Sequence, residues 1–117
     1  MSRKVVAMLE RNRHKVQTIT LTGDVDLVWR QAGSGEIRIV APTLRIDPGG
    51  AARNVDLPPE AASTGAAIRI VNTADAAENL VVRNSGGLVT HATIGQNEAG
   101  SCYGDGTEWT ATVDKDT

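Results

Sequence analysis

An all-β sandwich or barrel is the fold class this sequence predicts, and two observations carry it. Short runs rich in β-branched and apolar residues alternate with polar ones at a period of two. Gly, Asn, Asp or Pro separates each run from the next. A third feature sets the ends apart: residues 1–15 are basic and free of glycine, which predicts an extended N-terminal arm on a small compact body spanning residues 16–117. At 117 residues the chain is expected to form one domain.

Taken in order, Val5, Val6, Met8 and Leu9 fit one side of a short helix, but no cap signal or full apolar stripe accompanies them. An arm that orders only on contact is the better reading. Strands are expected at Val16–Leu21, and at Val25–Trp29 with Val25, Leu27 and Trp29 on one face. After the turn at Gly33-Ser34-Gly35, a strand is expected at Glu36–Val40, with Ile37 and Ile39 sharing a face. Pro42 interrupts, Thr43–Ile46 resumes, and Asp47-Pro48-Gly49-Gly50 is a turn by its chemistry. Arg53–Leu57 alternates again. Pro59 opens a helical turn through Ser63 that Gly65 ends. Ala67–Asn72 and Leu80–Arg83 follow as strands around a loop at Thr73–Asn79. Asn84-Ser85-Gly86-Gly87 makes a tight hairpin turn into Leu88–Ile94. A loop is expected at Gly95–Gly100. Ser101–Tyr103 and Glu108–Val113 then flank a second hairpin at Gly104–Thr107, ahead of a charged tail.

The core has to be built from small pieces. The chain has no Phe, one Tyr (Tyr103) and two Trp (Trp29, Trp109). Aromatic side chains bury roughly 150–250 Å² each, so their scarcity thins the interior. Domains in this position are commonly stapled by disulfides, metal or self-association. Cys102 has no partner within the chain, which leaves self-association as the expectation. Charge is uneven: residues 1–15 carry five Lys/Arg against one Glu, while the rest carries seven against thirteen. A basic arm on an acidic body suits docking on something negative. The apolar run at Val5–Leu9 is too short for a secretory signal, which needs about 7–15 apolar residues, or for a membrane span of about 20. A cytoplasmic site of synthesis and no membrane partner are expected.

Chemistry is hard to find. His14 and His91 are far apart, and Cys102 would need a base such as His91 on a paired strand; a half-buried strand cysteine is the plainer identity. Asp24, Asp26 and Asp105 fall short of the six to eight oxygens calcium wants. Gly33-Ser34-Gly35 lacks the remainder of a phosphate loop. The arm has no aromatic for base stacking and the body is acidic, which argues against nucleic acid. No catalytic, metal or cofactor site is expected.

From Leu57 onward the order of features resembles a known group. Leu57-Pro58-Pro59-Glu60-Ala61-Ala62 is followed by Ile68-Arg69-Ile70-Val71-Asn72-Thr73 and Asn79-Leu80-Val81-Val82. Ile94-Gly95-Gln96-Asn97-Glu98-Ala99-Gly100 and Cys102-Tyr103-Gly104-Asp105-Gly106-Thr107-Glu108-Trp109 complete the series. This half of the chain looks like the β domain of the small head decoration (capsid-cementing) proteins of tailed bacteriophages, which also occurs in head and tail fibres. The resemblance implies a β-tulip-like body, a homotrimer on the outer surface of the expanded capsid, no catalysis, and an arm reaching onto major capsid protein. Val5, Val6 and Leu9 are then the apolar anchors of a strand-adding arm. Arg3, Arg11, Arg13 and Lys15 supply its charge, the last three steering toward an acidic capsid face. Three arms raise the effective concentration of weak contacts, multiplying affinity by about 10²–10⁴. The alternative is a receptor- or carbohydrate-binding domain of a fibre, for which only Trp29, Tyr103 and Trp109 supply aromatic surface.

Overall fold

A computed structural model describes residues 15–115. The strands are β1 (Val16–Thr20), β2 (Val25–Val28), β3 (Glu36–Arg38), β4 (Thr43–Asp47), β5 (Arg53–Asp56), β6 (Ala67–Asn72), β7 (Leu80–Arg83), β8 (Thr90–Ile94), β9 (Glu98–Gly104) and β10 (Trp109–Lys115). One 3-10 turn, Glu60–Ala62, lies between β5 and β6. They form two five-stranded mixed sheets, ordered β1-β4-β6-β9-β10 and β3-β2-β5-β7-β8.

The two-residue alternation becomes an inside and an outside for each sheet. Leu44 and Ile46 of β4, Ile68 and Ile70 of β6, and Leu80 and Val82 of β7 point into the space between the sheets and are buried. Arg45 and Arg69, one position off, stand on the outside. Burying one such aliphatic side chain contributes about 1.5–3 kcal/mol.

Pairing departs from what the turns suggest. The chain switches sheets repeatedly, so β1, β4 and β6 lie parallel to one another, as do β3, β2, β5 and β7. The expected hairpins β7–β8 and β9–β10 are antiparallel. The expected strand Leu88–Ile94 starts two residues late: the side chain of Asn84 accepts the amides of Leu88 (2.9 Å) and Val89 (3.0 Å), holding both in the connection. The expected loop Gly95–Gly100 ends early, because Glu98, Ala99 and Gly100 already belong to β9.

Three polar anchors fix the body. Trp109, fully buried in β10, donates its indole N–H to Pro58 O at 2.9 Å. Trp29 donates to Ser63 Oγ at 2.9 Å, and Ser63 Oγ donates to Pro59 O at 2.8 Å, so both tryptophans grip the 58–63 segment from opposite sheets. Buried Asn72 donates through Nδ2 to Glu78 O and Ile94 O, both 2.8 Å, and accepts the Ala74 amide at 2.9 Å. Gly49 makes the expected turn at 47–50 work: its φ is +79°, and a Cβ there would lie 2.0 Å from Leu21 O.

Candidate docking surfaces

Arg3, Val5, Val6, Leu9, Arg11 and Arg13 lie outside the described residues. Lys15 is exposed where the chain enters β1. The entry point is well defined. Gln17 of β1 reaches across the open side of the sandwich, donating to Arg38 O and accepting the Val40 amide, both at 2.9 Å. Next to this junction runs a shallow apolar groove of about 270 Å³ lined by Trp29, Ile39, Val40, Pro42, Ala67 and Ile68. Val16 (52% exposed) and Val40 (58%) leave further apolar surface there.

A second concavity is polar. The parallel register aligns Glu36 of β3 with Asp26 of β2, Asp26 with Asp56 of β5, and Asp56 with Arg83 of β7. Each stands one position from a core residue (Ile37, Leu27, Val55, Val82), so all four share the outer face of the second sheet. Arg83 grips the buried Asp56 through two bonds, Nε to Oδ1 at 2.7 Å and Nη2 to Oδ2 at 3.2 Å. That hydrogen bond to Asp56 is the main reason its guanidinium holds its proton even more firmly than usual. Gly87 lets the β7–β8 connection close over this pair: φ is +74°, and a Cβ would lie 2.8 Å from the guanidinium. The resulting cleft, about 400 Å³, is lined by Asp26, Val28, Arg30, Glu36, Asp56 and Ser85 among others.

Asp26 is the misfit of the row. Desolvation, then the charge of Asp56, a hydrogen bond with Asp56 and the charge of Glu36 raise its pKa above the ordinary 3.8, while Arg83 opposes them. A raised folded-state pKa means that the folded protein holds the proton better than the unfolded chain. Stability therefore falls as pH rises from the ordinary carboxylate range through the raised value, and the penalty is complete above it. Asp26→Asn is expected to stabilise the protein at pH 7 by about 0.2–1 kcal/mol, the scale of a cross-strand side-chain pair, since like charges directly opposite are destabilising. The gain should fade by pH 3. Urea unfolding at the two pH values checks this, and a wild type more stable than Asp26→Asn at pH 7 contradicts it.

Neither a family model, nor a curated protein, nor a solved structure matches this chain.

The sequence-predicted reactive groups fall into structural places. Cys102 is fully buried, opposite Ile68 and Ala111, and burial pushes its thiol up to about 11. His91 is in the other sheet, so the two strands that might have brought it to Cys102 do not pair. Asp24 accepts the Asn54 amide (2.9 Å) and Nδ2 (3.2 Å), tying the β1–β2 turn to β5. Asp105 accepts the amides of Glu108 and Thr107, both at 2.8 Å. These backbone bonds hold its carboxyl below the usual range and shape the β9–β10 turn. Gly33-Ser34-Gly35 is a turn closed by Glu36, whose Oε1 accepts the Gly33 amide at 2.7 Å. Among the described residues, no three His, Cys, Asp or Glu side chains gather as metal ligands, and no helix is long and apolar enough to cross a membrane.

Nothing in the linear order of residues 26, 36 and 56 announces the acidic row. Its signal lies in the strand register, which one sequence does not display. The apolar groove had a fainter trace: Trp29 and Val40 end two predicted strands.

Proposed function

We propose that this protein is a bacteriophage capsid decoration protein that binds the outer surface of the expanded head as a homotrimer. Residues 1–15 would form the arm that contacts major capsid protein. The observation that carries the reading is the junction at β1. A β body braced by Gln17 delivers a basic segment bearing Val5, Val6 and Leu9 at an edge where Val16 and Val40 are already exposed. An arm leaving a firm edge can add a strand to a neighbour's sheet, with main-chain bonds giving affinity and alternate side chains giving register. The thin core expected from the sequence favours self-association, and three arms compensate for weak single contacts.

The fibre alternative has less to work with. Trp109 is buried and Trp29 is half-buried against Ser63, leaving Tyr103 (54% exposed) as the open aromatic on the outer face of the first sheet. A carbohydrate platform would need more.

Co-sedimentation with purified heads tests the proposal. The protein is expected to travel with expanded shells, saturating at a multiple of three chains per lattice position, and to stay in the supernatant with unexpanded ones. Equal binding to both, or to neither, overturns the proposal.

A further inference from the structure

β1 and β3 are the outermost strands of their two sheets. An outermost strand presents main-chain groups with which a further strand can pair. In β3 and its extension, the Ile39 amide turns inward to Val28 O at 2.9 Å, so the groups of Arg38 and Val40, one position to either side, turn outward. Those are the groups that Gln17 reaches from β1. Its Nε2 donates to Arg38 O and its Oε1 accepts the Val40 amide, both at 2.9 Å. The two ends of the carboxamide cannot be exchanged, because a carbonyl needs a donor and an amide needs an acceptor. One residue of a parallel neighbour strand, placed opposite Ile39, would make the same two bonds, giving its N–H to Arg38 O and taking the Val40 N–H on its carbonyl. Gln17 stands where a strand would add.

Two features would otherwise leave this edge receptive. Its acidic residue is engaged locally, since Glu36 Oε1 accepts the Gly33 amide at 2.7 Å, and Val16 and Val40 expose apolar surface beside it. The chain also carries a strand suited to it. β10 is the outermost strand at the other end of the first sheet, and its first five residues, Trp109–Val113, are uncharged and include β-branched Thr110, Thr112 and Val113. Uncharged outermost strands are the ones that pair with other chains. We propose that Gln17 is a plug that keeps the outer edge of β3 from accepting an edge strand of a second copy. Its carboxamide satisfies Arg38 O and the Val40 N–H within one chain, so the main-chain bonds that would give a copy its affinity are already made. The plug acts whether or not the protein decorates capsids, and it leaves the proposed homotrimer to other surfaces.

The test uses two variants of the full chain. Gln17→Met keeps the length and loses both bonds; Gln17→Asn keeps the amide and loses the reach, and serves if the methionine variant fails to fold. Hydrogen exchange of the Val40 amide and sedimentation velocity are followed together as protein concentration is raised. At low concentration Val40 is expected to exchange about tenfold faster in the variants than in the wild type, the scale of one net hydrogen bond. At high concentration the variants should exceed the wild-type mass, and Val40 should regain its protection as a copy's strand replaces the plug. The wild type should show neither change. A Val40 amide that exchanges at the wild-type rate in the dilute variants overturns the plug. So does a variant that keeps the wild-type mass at every concentration, or one that gains mass while Val40 stays unprotected, since the copies then meet elsewhere.

Discussion

Trp109→Ala is expected to cost about 3–5 kcal/mol, the usual loss when a buried aromatic side chain is cut back in a core that cannot fully collapse. Two features place this position at the top of that range. With no Phe in the chain, and Trp29 and Tyr103 partly or largely exposed, Trp109 is the one ring wholly inside. It belongs to a buried cluster otherwise made of aliphatic residues and Cys102. The substitution also strips the donor from Pro58 O, loosening the segment that Trp29 and Ser63 hold from the other side. Domains of this size are stable by about 5–15 kcal/mol, so the variant should be largely or marginally folded. Trp109→Phe keeps most of the packing and loses the hydrogen bond, about 1 kcal/mol for the bond itself. Urea midpoints of the two variants separate packing from bonding, and an alanine variant within 1 kcal/mol of wild type, on the scale of a surface change, would contradict this view of the core.

The second large effect is expected at Asn72. Its amide joins three backbone groups: Glu78 O, Ile94 O and the Ala74 N–H. Each buried polar group left without a partner costs about 1–3 kcal/mol. The Glu78 side of the site is near solvent, so water can replace part of the loss there. Asn72→Ala is expected to destabilise by about 3 kcal/mol on that basis. Asn72→Asp should be worse at pH 7, since a carboxylate would face two carbonyl oxygens, and should recover on acidification as it gains a proton. Thermal unfolding of both variants at pH 7 and pH 4 checks the order, and an Asp variant equal to wild type at pH 7 contradicts it.

Individual residues show how far the sequence speaks. The alternation of Leu44 and Ile46, Ile68 and Ile70, and Leu80 and Val82 identifies inner faces correctly, because period two is a property of the strand itself. The Asp47–Gly50 turn and the 3-10 turn after Pro59 are legible for the same local reason. Partnership is not local. β1 pairs with β4 and β2 with β5, and neither choice leaves a mark in the strands' own composition. The acidic row at Glu36, Asp26 and Asp56 is invisible for that cause. Gly100 misleads in another way. Glycine reads as loop, yet here it sits in β9 because the Ile94 side chain occupies the space a Cβ would need, at 2.7 Å. Leu88 errs in the opposite direction, since an apolar residue reads as strand while the Asn84 side chain holds it in the connection, 90% exposed.

If the arm is the attachment device, its removal separates folding from binding. A chain lacking residues 1–15 keeps every buried core residue named above, so it should fold and show β-rich circular dichroism. Mixed with expanded heads and spun, the full chain is expected in the pellet and the truncated chain in the supernatant. A truncated chain that pellets as well as the full one would contradict the account.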